Sequence, residues 1–236
     1  MENKEKSKNQ LLKELKELRQ RVKALENFEF ESKHVEEKLK ESFERLKRTI
    51  GETTIALTSI LEKRDPYTAQ HQQRVAYLAC AIAQELGFSE EEIEGINVAA
   101  VLHDIGKIYV PSEILSKPGK LTESEFAIIK THPLVACDIL KKIEFPWPIA
   151  PIVLQHHERM DGSGYPHRLS DGDIVPEARI LGVADVVEAM SSHRPYRAAL
   201  GIDKALEEIA KNRGILYDPE VVDACIKLFK EGKIKF

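Results

Sequence analysis

VAAVLHD at residues 98–104 and ILGVADVV at residues 180–187 are the stretches that decide the fold. Neither alternates apolar and polar residues as a half-buried strand would, and each sits inside a longer pattern of helical period. Upstream of the first, Ser89 followed by Glu91 and Glu92 reads as an N-cap with acids in the opening turn, so a helix is expected from Glu92 to His103. The second lies in an expected helix from Ala178 to Met190. Working outward, Val75, Leu78, Ala79, Ile82 and Leu86 share one side of a helix over 69–86 that Gly87 terminates. Thr122 caps another helix beginning at Glu123, and further helices are expected over 53–63, 150–158, 203–212 and 219–230. Period-two segments are almost absent; Lys107 to Val110 alone reads as a short extended piece. The expected fold class is all-α.

The first 50 residues differ from the rest: they contain no proline and are densely charged. Leu11, Leu15, Leu18, Val22 and Leu25 follow one another in steps of four and three, and the same register resumes at Leu39, Phe43, Leu46 and Ile50. Between them the seam positions are Glu29, Ser32 and Glu36. This pattern predicts a parallel coiled coil with a weakened middle, a dimerisation or signalling helix over residues 1–50 that would make the protein a homodimer. A compact domain is expected over 51–236.

The chain has 236 residues, 42% hydrophobic and 31% charged, which suits a globular core and excludes wholesale disorder. A formal net charge of -4 argues against a protein that wraps duplex nucleic acid. No apolar run approaches the roughly 20 residues of a spanning helix, and the polar start MENKEKSKNQ is no secretory signal. Cytoplasmic location without membrane insertion is expected, with Cys80, Cys137 and Cys225 as reduced core thiols.

Histidine and aspartate carry the chemistry. His103 and Asp104 close the apolar run 98–102, His132 opens a helix before Pro133, and His156 and His157 close the run 149–154. His71 lies on a helix with Arg74 one turn later, and Asp185 is embedded among Ile180, Leu181, Val183, Ala184, Val186 and Val187. Burying a carboxylate in such surroundings is expensive unless a cation meets it. An isolated core histidine is more often hydrogen-bonded than metal-bound, but an HD pair, an HH pair and two more placed histidines together point to a metal site. Neighbours on an ideal helix point about 100° apart, so His103 and Asp104 would serve one ion side by side only at a helix end. There Asp104 can bridge to a second ion. Two ions roughly 3.5–4 Å apart are the usual device for phosphoryl displacement, one activating water and both neutralising phosphate. His34, in the charged N-terminal helix, is expected to be solvated.

At these residues the sequence resembles the HD-GYP family, a branch of the HD phosphohydrolases. The resemblance is carried by RDPYTAQHQQRV at 64–75, LHDIGKI at 102–108, KPGKLT at 117–122, THP at 131–133, HHERMDGSGYP at 156–166, EARILGVADV at 177–186 and RPYR at 194–197. It implies hydrolysis of cyclic di-GMP, to the linear dinucleotide or GMP, at a centre of two divalent ions, iron or manganese. The implied ligands are His71, His103, Asp104, His132, His156, His157 and Asp185. Lys107 is implied beside the metals and the substrate phosphate, with Asp104 and Lys107 as the catalytic pair, and Arg194 and Arg197 as phosphate grips. Tyr67 stands where some members carry a glutamate for a third ion, which implies two. His167 and Arg168 depart from the family pattern after the motif, and His167 is not taken as a ligand. The Asp161–Gly164 stretch reads as a turn that either joins two helices or borders the substrate groove. Two alternatives stay open: hydrolysis of another nucleotide, such as cyclic GMP-AMP or a (p)ppGpp-like compound, and a cyclic-dinucleotide-binding module reduced in catalysis. Partner signalling domains are also implied.

Overall fold

Period and capping together set the helices. Ser89 accepts the Glu92 backbone N–H while Glu92 accepts that of Ser89, and Thr122 and Glu125 repeat this reciprocal box, so two helices start where the sequence places N-caps. Gly87, at φ +84°, supplies the left-handed residue that ends the helix before it. The structure, a computed structural model, describes residues 8–62, 68–117, 119–192 and 199–234. In chain order the helices are α1 (Lys8–Glu62), α2 (Thr68–Glu85), α3 (Glu90–Leu102), α4 (Ser112–Leu115), α5 (Glu123–Ile129), α6 (His132–Leu140), α7 (Ile149–Gln155), α8 (Pro176–Ser191), α9 (Ile202–Lys211) and α10 (Pro219–Lys230). Among the described residues there is no strand, only isolated bridges at Asp161–Ser170 and Arg213–Tyr217. The fold is all-α.

The chain divides into two units, Met1–Gly51 and Glu52–Phe236. The described part of the first lies within α1, and its leucines stand exposed. Gly51, where the sequence pattern changes, does not interrupt α1. A single helical glycine costs only about 1 kcal/mol, too little to break so long a helix.

In the second unit α2 packs against α3 and α8. The predicted face of α2 is buried: Val75, Leu78, Ala79 and Ile82 are all fully covered. Ile96, Ala99 and Leu102 of α3, Ile152 and Val153 of α7, Ile180, Leu181 and Ala184 of α8, and Val222 and Cys225 of α10 complete the core. The three cysteines are free thiols; burial pushes Cys80 up to about 11 and Cys225 up to about 12, which keeps both protonated.

Residues 107–110 are not the extended piece expected from the sequence. Ile105–Tyr109 forms a 3₁₀ turn, closed by Lys107 N–H to the Asp104 carbonyl at 2.9 Å and Val110 N–H to the Lys107 carbonyl at 3.0 Å. Ile108, Tyr109 and Val110 form a short apolar run, which by itself does not distinguish a strand from such a turn. Among the described residues no helix is long and apolar enough to cross a membrane.

Candidate metal centre

Helix ends bring most of the candidate ligands together. α3 ends at Leu102, so His103 is its C-cap and Asp104 lies past it with φ -95°, ψ 3°. α7 ends at Gln155, leaving His156 as its cap and His157 beyond, while His132 is the first residue of α6. His71 stands near the start of α2 and Asp185 in the middle of α8. Five imidazoles pack in a continuous chain: centroids lie 5.4 Å apart for His71–His103, 5.1 Å for His103–His156, 5.4 Å for His132–His156 and 4.0 Å for His156–His157. His71, His103, Asp104, His132, His156 and Asp185 are buried.

For four of the five rings the second nitrogen explains which way the ring faces. His103 Nδ1 is 2.6 Å from the Ala100 carbonyl, His132 Nδ1 2.8 Å from that of Ile129, and His156 Nδ1 2.6 Å from that of Val153. Each is a carbonyl three residues back at the end of a helix, where acceptors are left over from the helical ladder. Carbonyls only accept, so these contacts assign the proton to Nδ1 and leave Nε2 as a bare lone pair. His71 lies in the first turns of α2 and not at the end of a helix. Its Nδ1 pairs instead with Glu188, a fully buried carboxylate one turn after Asp185.

Asp104 and Asp185 each span two groups of nitrogens. Asp104 Oδ2 is 3.5 Å from His103 Nε2 and 3.9 Å from His71 Nε2, and Oδ1 is 3.5 Å from His132 Nε2. Asp185 Oδ1 is 3.2 Å from His71 Nε2, and Oδ2 is 3.9 Å from His157 Nδ1. Burial opposes ionisation of Asp104, but Lys107 and the imidazoles of His103, His132 and His71 outweigh it and hold the carboxyl well below its ordinary range. Burial pushes His132 down to about 4 and His156 to about 3, so both rings are neutral near pH 7.

The donor set therefore fits metal ions. His132 Nε2 and His156 Nε2 face each other at 3.4 Å with lone pairs on both sides, and buried His103 Nε2 makes no hydrogen bond. Lone pairs and carboxylates converging away from water need cations between them. Three sets of atoms lie close enough to hold one: His71–His103–Asp185, His132–His156–His157 and His103–Asp104–His156. Lys107 Nζ, 2.6 Å from Asp104 Oδ2, adds a positive charge at the edge.

Sequence reasoning missed Glu188. It accepts from His71, from Arg74 Nε at 2.6 Å and from Ser192 Oγ at 2.6 Å. Burial alone would raise its carboxyl, but these partners hold it below the ordinary range. The signal was there: a second acid in the same apolar helix, three residues after Asp185. Glu158, also buried, accepts the backbone N–H groups of His167 at 2.7 Å and Leu169 at 3.0 Å, closing the loop that carries Gly164, Tyr165 and Pro166. A side chain at Gly164 would overlap the Glu158 backbone, so only glycine fits. The loop lays Tyr165 on His157, centroids 4.6 Å apart at 30°. His167 and His34 are exposed and lie outside the three ligand sets. Arg194, Arg197 and Tyr67 lie outside the described residues.

Comparison with known proteins gives one family match and close relatives. The model of the HD domain matches residues 56–221. The chain is 43% identical over 195 residues to the cyclic di-GMP phosphodiesterase response regulator RpfG of Xanthomonas campestris, covering 82% of this chain and 52% of that protein. It is 43% identical over 199 residues to a cyclic di-GMP phosphodiesterase of Thermotoga maritima, covering 84% of this chain and 54% of that one. The chain thus spans about half the length of these curated relatives. Among solved structures, a cyclic GMP-AMP specific phosphodiesterase of Vibrio cholerae shares the fold with a TM-score of 0.60 at 18% identity, over 78% of this chain and 49% of that one.

Proposed function

The chain belongs to the HD-domain family, in its HD-GYP branch, and on that premise we propose that it is a metal-dependent phosphodiesterase hydrolysing cyclic di-GMP. The observation that carries the proposal is the convergence of bare imidazole nitrogens and two buried carboxylates on one locus. His71, His103 and Asp185 would hold one divalent ion, His132, His156 and His157 a second, and Asp104 would lie between them. Iron and manganese both suit mixed imidazole and carboxylate ligation. When bound, such a pair supplies an activated water at neutral pH and positive charge for the phosphate.

The residues of the chain have separate tasks. Glu188 holds the His71 ring, and the helix-end carbonyls hold His103, His132 and His156, so the nitrogens are aimed before anything binds. Lys107 offsets negative charge as it builds on the attacked phosphate. Arg194 and Arg197 grip the phosphates in bidentate fashion. Water adds across one P–O3′ bond, giving the linear dinucleotide, and a second cut gives GMP. A second reading, cyclic GMP-AMP as substrate, stays open because the metal site does not distinguish the bases. The reaction belongs in the bacterial cytoplasm, the compartment of nucleotide messengers and of free thiols such as those here. The partner is a second copy of the chain joined through residues 1–50, with partner signalling domains as its source of control.

The test is anaerobic purification with metal quantification, coupled to turnover of cyclic di-GMP and cyclic GMP-AMP. About two ions per chain and cyclic di-GMP turnover that chelation abolishes are expected. Full activity without metal, or a loaded protein inert to both dinucleotides, would refute the proposal.

A further inference from the structure

Leu11, Leu15, Leu18, Val22 and Leu25 of α1 are 47–66% exposed, and Leu39, Phe43 and Leu46 are 55–69% exposed. Apolar side chains repeated at heptad spacing on one helix are a surface made for another helix. Steps of four and three put Leu11, Leu18 and Leu25 at d and Leu15 and Val22 at a. Carried forward without a break, the a positions become Glu29 and Glu36, so two parallel copies would set glutamate against glutamate twice.

One residue earlier stand Phe28 and Val35, 70% and 65% exposed. Leu25, Phe28, Ser32, Val35 and Leu39 follow one another in steps of three, four, three and four. A seam through them meets the regular register again at both ends. It has two consecutive three-residue steps at Leu25 and two consecutive four-residue steps at Leu39. The first overwinds a coiled coil locally and the second unwinds it, so the phase is restored. Glu29 is engaged on its own helix, 2.8 Å from Lys33 Nζ, with both side chains about 70% exposed. That pair stays in water if the seam passes through Phe28.

Charge favours the parallel direction. In a parallel, in-register pair the residue before each a faces the residue five positions on in the other copy. Glu14 then meets the partner's Arg19, and Arg21 meets the partner's Glu26, opposite in sign both times. An antiparallel pair centred on the polar stretch would set Arg19 against the partner's Lys40, like in sign, and Glu26 against the partner's Lys33, so its charged contacts oppose one another where both contacts of the parallel pair attract. Such exposed pairs add little stability but they select orientation.

Resting on the dimer proposed above, we infer that a second copy of this chain packs parallel and in register along α1, and that the seam between Leu25 and Leu39 runs through Phe28, Ser32 and Val35 and not through Glu29 and Glu36. The middle of the coiled coil is then apolar at two further layers and locally out of heptad phase.

Single cysteine substitutions in the full chain test this, with the native protein as background. The variants are Leu18→Cys, Phe28→Cys, Val35→Cys, Glu29→Cys and Glu36→Cys, all at exposed positions whose substitution leaves the second unit intact. A disulfide needs Cβ atoms within about 4 Å, so mild oxidation reports which residues face their own copy. Light scattering gives the mass before oxidation. A dimer is expected, with Phe28→Cys and Val35→Cys cross-linking as well as Leu18→Cys and at least several-fold better than Glu29→Cys and Glu36→Cys. The reverse order, or equal yields at all four middle positions, overturns the seam while the dimer stands. A dimer in which Leu18→Cys fails to cross-link overturns the parallel arrangement. A monomeric mass removes the dimer and the seam with it, and leaves the phosphodiesterase proposal to its own assay.

Discussion

Glu188 touches no proposed ion, yet its removal should weaken metal binding. In the variant Glu188→Gln, the single remaining carbonyl oxygen serves either His71 or Arg74, while the new amide N–H group points donor to donor at the other. The native carboxylate is fully buried and accepts from His71 Nδ1, from Arg74 at 2.6 Å and from Ser192 at 2.6 Å. Breaking a sealed ion pair costs about 3–5 kcal/mol because the surviving charge is stranded. Here the Arg74 side chain is 32% exposed and can turn to water. The cost therefore falls toward that of lost charge-assisted bonds, about 1.5–3 kcal/mol, or a melting midpoint lower by about 2–4 °C for each kcal/mol in a domain of this size. The effect on function is separate. Loss of an outer partner of a ligand histidine lowers metal affinity by about 10- to 100-fold, because the His71 ring is no longer held with Nε2 facing Asp185. Calorimetric titration of metal-free protein with Mn²⁺, beside thermal unfolding of the same samples, measures both. A folded variant that melts lower but binds Mn²⁺ as tightly as the native protein would refute the positioning role and leave Glu188 a structural residue.

Replacing His103 and Asp104 together by alanine should abolish both metal content and dinucleotide turnover; activity within two-fold of the native protein would remove the metal mechanism. Gly106→Ala would drive a methyl group into the His132 carbonyl oxygen, so a loss of about 1–3 kcal/mol is expected from overpacking. It should weaken metal binding through the shifted His132, and an unchanged melting curve would show that the 3₁₀ turn yields freely. Lys117 bonds both oxygens of Glu125 at 2.7 Å and, with the Thr122 backbone N–H, lowers that carboxyl to about 2. A depressed carboxyl contributes stability that is present above its unfolded value near 4.5 and fades as pH falls toward 2. Lys117→Ala should therefore raise the Glu125 titration midpoint seen by NMR, and a midpoint that stays near 2 would assign the shift to the cap alone.

Helix positions were legible because their signals are local. A 3.6-residue period, the Ser89–Glu92 and Thr122–Glu125 boxes, and Gly87 act within a few residues of themselves. Lys107–Val110 misled because a short apolar run looks the same in a strand and in a 3₁₀ turn, and only the i to i+3 bonds distinguish them. Glu188 was passed over although it shares the helix and the apolar setting of Asp185. No motif marks it, and its partners Arg74 and His71 are more than a hundred residues away in the chain.

The amino-acid sequence by itself determined that the chain is helical, that its first 50 residues carry an apolar seam, and that five histidines and two aspartates stand in apolar surroundings too costly for solitary charges. Each of those is a property of neighbours along the chain. Only the tertiary structure decided which nitrogens turn inward, that Asp104 and Asp185 each reach two groups of them, and that His71 needs a carboxylate from α8 where His103, His132 and His156 use helix-end carbonyls. The reason is physical: a ring nitrogen is aimed by whatever acceptor stands behind it, and that acceptor is supplied by where helices end and which helices touch.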